Sequence, residues 1–202
     1  MNTYRLKSTG QVVTEQEYRA LKPNVSYPAV LVPDDADAIL QAPIPSYNAD
    51  THSVSQGQPV QDALGNYVTG YIITPLSEES IAASLLAAKT AKNLAINQWR
   101  AAANASTFTH DGHTYSCDAL SRGDIDAVAG SISLTGAFPQ YFPMAWKDVA
   151  NNIVAMPTVD AFKAFYSSMT MQGTVNFGKS QTLKAALEAA TSPSEVNAIV
   201  WP

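Results

Sequence analysis

Seven of the twelve prolines in this 202-residue chain lie between Pro23 and Pro75. A proline ring fixes φ, removes a backbone donor and pushes the residue before it out of the helical region. That stretch can therefore hold extended chain, turns and short strands, but no long helix. What surrounds it agrees. Tyr4 to Lys7 and Gln11 to Val13 flank Ser8-Thr9-Gly10, which reads as a tight hairpin. Thr14-Glu15-Gln16-Glu17 has the spacing of a capping box and opens a short helix that ends before Pro23. Strands are expected over 53–60 and 66–74, joined through Asp62-Ala63-Leu64-Gly65-Asn66. In the second strand Tyr67, Tyr71 and Ile73 share one face, and Val68 and Ile72 point the other way.

A change of character follows at residue 77. Ser77 is a good helix N-cap, and Glu78 and Glu79 place negative charge in the first turn, where the helix dipole favours it. Helix-forming composition continues to Ala103, a length of about 39 Å at 1.5 Å per residue. Ile81, Leu85, Ala88, Ala95, Ile96, Trp99 and Ala103 fall near one stripe, with Lys92 occupying one of its positions. The stripe fits an ordinary amphipathic helix, with a connector or oligomerisation helix between two lobes as the alternative.

Residues 104–202 return to mixed structure. Thr107 to His110 and His113 to Ser116 flank Asp111-Gly112, a strong two-residue hairpin signal. A helix is expected from Asp118 to Val128, with Leu120, Ile125 and Val128 turned inward. Phe138 to Pro143 forms an aromatic loop, and a second hairpin spans Met144 to Met156. Thr158 caps a helix through Phe162 and Phe165 that Gly173 and Gly178 should interrupt, with helix resuming from Thr182 to Ala190. Ser192-Pro193 starts a last short helix reaching Trp201. The fold class expected is α+β. A small Pro-rich β lobe and attachment region covers 1–76, a long connecting helix 77–103, and a mainly helical C-terminal lobe with two β-hairpins 104–202.

Composition removes several function classes. Charged residues make up 14% and the net charge is −5, with no basic stretch in either half, so phosphate-driven nucleic-acid binding is not expected. Hydrophobic residues make up 46%, enough for a core. No apolar run approaches a membrane span, and the start lacks a signal peptide's apolar segment, so no membrane insertion is expected. A single cysteine, Cys117, excludes an intramolecular disulfide. A surface this poor in charge suits a protein packed against partners.

The one site-like cluster is His110-Asp111-Gly112-His113-Thr114-Tyr115-Ser116-Cys117-Asp118. His110 and His113 flank the turn as cross-strand neighbours, but Cys117 lies roughly 13 Å beyond His113 along an extended strand, so no metal site is expected. Local roles are expected instead, with the histidines capping the turn or the next helix and Cys117 a small buried hydrophobe. A thiol or serine nucleophile at Cys117 or Ser116 lacks a base with its orienting partner. Asp34-Asp35-Ala36-Asp37 lacks the glycine and distal glutamate of a calcium loop and reads as a solvated turn. Trp99, Trp146 and Trp201 read as core anchors and Arg122 as a surface arginine. No catalytic, cofactor-binding or metal residues are assigned, and no enzymatic activity is expected.

Several separated motifs occur in a distinctive order. Ile96-Asn97-x-Trp99-Arg100 precedes Phe108-Thr109-His110-Asp111-Gly112-His113-x-Tyr115. Asp118, Ser121-Arg122 and Ile125 follow, then Trp146-x-Asp148-x-x-Asn151-Asn152. The chain closes with Leu183 to Thr191 and Glu195-Val196-x-x-Ile199-x-Trp201. This order, over residues 94–202, resembles a family of C-terminal domains in tailed-phage and prophage tail proteins. Tyr4-Arg5-Leu6-Lys7-x-Thr9-Gly10 and Gly65-Asn66-Tyr67 leading to Pro75-Leu76-Ser77-Glu78-Glu79 resemble the openings of other tail-region and tail-fibre-associated proteins. The resemblance implies a structural component of a bacteriophage tail (fibre, baseplate or tail-tip adaptor) with a place in host attachment. It also implies other tail proteins as partners, homo-oligomers with trimers as one option, and synthesis in the host cytoplasm before incorporation in the virion. The ending Ala189-Ala190-Thr191 through Trp201-Pro202 is similar to tail-fibre assembly proteins, which keeps a chaperone absent from the finished particle as the alternative.

Overall fold

From Lys22 to Ser77 the chain contains no helix in the computed structural model, which describes residues 2–202. The extended chain pairs with itself instead. Strands β1 (Thr3–Leu6), β2 (Val12–Thr14) and β3 (Ala36–Ala38) form an antiparallel sheet in the order β2-β1-β3. Helix α1 (Glu15–Leu21) is capped as its sequence requires: Glu17 N–H donates to Thr14 Oγ1 and Thr14 N–H to Glu17 Oε2. Tyr18 on α1 packs with Tyr4, Val13, Leu31 and Ala36 in a small core. Strands β4 (His52–Gln61) and β5 (Tyr67–Pro75) form a long hairpin whose register shifts between Gly57 and Val60, around Pro59. A proline cannot donate to the ladder, and the irregularity absorbs that loss.

The acidic run is an exposed bend, as expected, at Asp34 and Asp35, and becomes strand from Ala36. Asp35 accepts from the Tyr18 hydroxyl and pairs with Lys22, and Asp37 lies within β3, 3.6 Å from Lys7 Nζ. With few charges in the chain, the sheet edge and α1 use these carboxylates as partners.

Helix α2 (Glu78–Asn104) starts where Ser77 caps it, the hydroxyl accepting from Ser80 N–H. The chain divides into two compact units inside this helix, at Ile81 and Ala82. Ile96 is the one α2 residue fully buried; with Leu85, Ala88 and Trp99 it packs on Leu187, Ala190 and Val196. Lys92, the charged interruption of the stripe, donates to the carbonyls of Asn197 and Ile199 and satisfies the end of the last helix.

The second unit is built around strands β6 (Thr107–His110) and β7 (His113–Ser116). Asp111 and Gly112 both have positive φ, 47° and 77°, the type I′ geometry that matches strand twist. Helix α3 (Ala119–Thr135), hairpin β8 (Ala145–Lys147) and β9 (Ile153–Ala155), helix α4 (Val159–Ala189) and helix α5 (Pro193–Asn197) complete the fold. Phe108, Tyr115, Ile125, Phe162, Phe165 and Met169 are the centre of its core. The architecture is α+β, with helices and small antiparallel sheets.

Four local expectations are corrected. Leu120 is 76% exposed, because it lies about 140° around the helix from Ile125 and about 120° from Ile132, off the inward face that these two and Val128 set. α3 runs beyond Val128 to Thr135, since Ile132 extends the buried stripe by another turn. α4 is one unbroken helix of 31 residues. A glycine in a helix costs about 1 kcal/mol against alanine, and burial of Phe165 and Met169 before Gly173 and of Ser180 and Leu187 after Gly178 outweighs it. α5 stops at Asn197, where Lys92 takes the carbonyls that a longer helix would have bonded itself.

Candidate functional site

The hairpin β6–β7 brings His110 and His113 opposite each other, as their spacing requires. Their side chains then diverge. His110 Nδ1 meets Ser168 Oγ at 2.9 Å on α4, and the ring stands edge-on to Phe165. His113 Nδ1 donates to Asp148 Oδ2 at 2.9 Å in the β8–β9 loop. His110 Nε2 also lies 3.4 Å from Asp111 Oδ2 in its own turn, whereas His113 reaches away from the turn. Cys117 is buried in the core with Phe108 and Tyr115. Among the described residues, no three His, Cys, Asp or Glu side chains converge as a metal ion would need.

What the cluster builds is a junction between hairpins. Asp148 is 5% exposed and accepts from Asn152 N–H and Asn152 Nδ2, each at 2.8 Å, as well as from His113. Val149 N–H donates to Thr114 O, tying the loop to β7. The Asn152 amide and His113 hold the Asp148 carboxyl at about 2, well below the usual carboxylate value. Asp118, the N-cap of α3, is held at about 2 by hydrogen bonds from Ser116 and Ser121. Depressed carboxyl pKa values mean stability that is present above the unfolded value of about 3.9 and lost as pH falls through the folded one. The C-terminal unit should therefore lose stability as the pH drops from 4 towards 2. Acid titration followed by circular dichroism checks this, and Asp148→Asn should flatten the slope. An unchanged slope in that variant would remove Asp148 from the account.

Tyr115 adds a second test of the same region. Its ring is fully buried, and its hydroxyl has no hydrogen-bond partner among the described residues. Burial, then the charges of Asp148 and Asp111, push its pKa up. A buried hydroxyl without a partner costs its desolvation, so Tyr115→Phe should stabilise the unit by about 1 kcal/mol. Urea unfolding measures this, and a destabilised variant would mean the hydroxyl is satisfied.

The aromatic loop divides by side chain. Phe138 and Phe142 pack against each other and edge-to-face with Phe162, while Tyr141 is 91% exposed. Of the tryptophans, Trp146 packs against the main core and Trp99 against the α2–α5 cluster. Trp201 is half-buried and belongs to neither.

A separate pocket of about 370 Å³ opens between α2, α3 and α4. Arg100 and Arg122 line it with Asn104, Thr170, Thr174 and Phe177. Arg100 stacks on Phe177 with its guanidinium carbon 4.8 Å from the ring centre. Arg122 passes α4 at Gly173, where a Cβ would stand in ordinary contact, 4.0 Å from its Nη2. Among the described residues no carboxylate lies within ion-pair distance of either guanidinium. Asp126 acts instead on Tyr166, whose pKa is raised by burial and then by that carboxylate, and lowered in part by Arg122. Asn104 is fixed from below: its Oδ1 accepts from Nδ2 of the buried Asn176, itself held by Gln172. Arg122 is thus no ordinary surface arginine, since its Nε is buried without a hydrogen-bond partner.

Residues 87–200, more than half of the chain, match a family described as "Domain of unknown function (DUF4376)". No curated protein and no solved structure matches the chain.

Proposed function

We propose that this chain, which belongs to the DUF4376 family, is a structural component of a bacteriophage tail that works through contacts with other tail proteins. The observation that carries the contact part is the quantity of large apolar side chain left in water. Val32 and Leu64 in the first unit are 80% and 87% exposed, and Leu134 in the second is 88% exposed, alongside Leu86, Leu120 and Ile153. In a chain with only 14% charged residues, apolar surface of this kind favours association. The tail part rests on the ordered motifs over 94–202 and on the resemblance they carry. Several of those motif residues have architectural duties: Trp99 packs the α2–α5 cluster, and His113, Asp148 and Asn152 lock two hairpins together. We assign no residue a catalytic role, no cofactor and no nucleic acid. Homo-oligomers fit this reading, a trimer among them.

Quantitative mass spectrometry of purified phage particles tests it. A fixed copy number per virion in multiples of three or six is the expected result. Absence from particles, with the chain bound to fibre protein in the infected-cell lysate, would replace this reading with that of an assembly chaperone.

A further inference from the structure

We infer that the pocket between Arg100 and Arg122 binds a carboxylate presented by an acidic segment of a protein partner. The inference rests on the reading of the chain as a contact protein and names the chemistry one contact would use.

The argument begins with charge. The chain carries 17 acidic side chains against 12 basic ones, yet these two arginines share a concave site and neither pairs with a carboxylate among the described residues. Two guanidiniums lining one cavity, neither in a direct ion pair, favour an anion. Hydrogen-bond capacity points the same way. Arg100 lies over the Phe177 ring, a contact that consumes none of its N–H donors, so they remain for a ligand. Asn104 accepts from Asn176 through Oδ1, which leaves its own amide N–H groups for a ligand. Thr170 and Thr174 donate their hydroxyl protons to the carbonyls of Ser167 and Thr170. The donors left to the pocket are therefore two guanidiniums and one amide, a set suited to a planar two-oxygen acceptor. Asn176 is 2% exposed, so Asn104 is set by a rigid layer before any ligand arrives.

The surroundings decide the kind of anion. A nucleic-acid backbone needs a run of cations, and the net charge of −5 opposes a polyanion. An acidic sugar is best held against an aromatic face turned into the site, and the one aromatic ring among the lining residues, Phe177, has Arg100 over one face. A single carboxylate on an aspartate or glutamate side chain needs neither.

The test is a titration of the full chain, labelled with nitrogen-15, by an acetylated tri-glutamate peptide. Parallel titrations use tri-glutamine, sodium phosphate and glucuronate. The peptide is expected to shift the Gly173 and Thr174 amides and the Nε–H signals of Arg100 and Arg122, and to do so less at high salt. Arg100→Gln and Arg122→Gln should each weaken binding at least tenfold. Arg122→Lys, which keeps the charge and loses the two-pronged geometry, should weaken it by less. The mapping on the unaltered chain stands even where a variant fails to fold. Equal shifts with tri-glutamine, tighter binding of phosphate or glucuronate, or shifts confined to other regions would each overturn the inference. Its failure is separate from failure of the tail reading, which the virion copy number decides.

Discussion

Phe165→Ala is expected to lower the stability of the C-terminal unit by 3–5 kcal/mol, enough to leave a substantial part of it unfolded at 37 °C. Phe165 is fully buried, and its ring is the hub of the core. Ring centres of Tyr115, Phe108, Phe162 and Trp146 lie 4.8, 5.0, 5.7 and 5.7 Å away, and the His110 ring stands edge-on to it. These neighbours come from β6, β7, β8 and α4 itself, so no one of them can move in to fill the space without leaving its own strand or helix. The loss therefore combines the transfer free energy of the ring with an unrelaxed cavity. Urea unfolding followed by tryptophan fluorescence reads the effect, because Trp146 lies beside the void. A loss below about 1 kcal/mol would mean that the core collapses freely, and the ring cluster would not be the centre of stability described above.

The second large effect belongs to the first unit. Gly70 on β5 sits opposite the irregularity in β4, and a Cβ there would come within 1.9 Å of the Gln58 carbonyl oxygen. That atom is backbone, so it cannot swing aside as a side chain can. Gly70→Ala should cost about 3 kcal/mol, at the upper end for overpacking. A two-stranded ribbon has little stability of its own to lose. Hydrogen exchange of the β4 and β5 amides should accelerate strongly, while the C-terminal unit keeps its unfolding midpoint. Retained protection across Val54 to Ile73 would show that the ribbon re-registers around the methyl group at little cost.

Features whose cause is local were legible in the sequence. The capping box at Thr14, the Asp111-Gly112 turn, the Ser77 cap and the boundary before Pro23 each depend on residues a few positions apart, and each stands where it was expected. The α2 stripe was legible too, down to Lys92, although not the carbonyls that this lysine would satisfy. Features decided by packing were not. Nothing near Gly173 announces that α4 continues, because the cause is Phe165 and Met169 on one side and Ser180 and Leu187 on the other. Leu120 looked inward by hydrophobicity alone, and only the phase set by Ile125 and Ile132 shows that it is not. The arginine pocket was invisible for the same reason. Its parts come from three helices with tens of residues between them. The one signal was that Trp99-Arg100 and Ser121-Arg122 both belong to the ordered motifs.

The boundary at Ile81 and Ala82 has a consequence for inheritance. Each hydrophobic cluster draws its residues from a single unit, and the family match begins at residue 87, one and a half turns beyond the join. A genetic crossover in the codons for the first turns of α2 would bring in a foreign leading segment without placing any core side chain against an unselected neighbour. The constraint on such an exchange is phase. One residue gained or lost between Leu85 and Ile96 turns Leu85 and Ala88 by about 100° out of line with the cluster they share with Ile96. Mosaic descendants should thus differ freely in sequence ahead of Ala82 and keep the spacing from Leu85 to Ile96 unchanged.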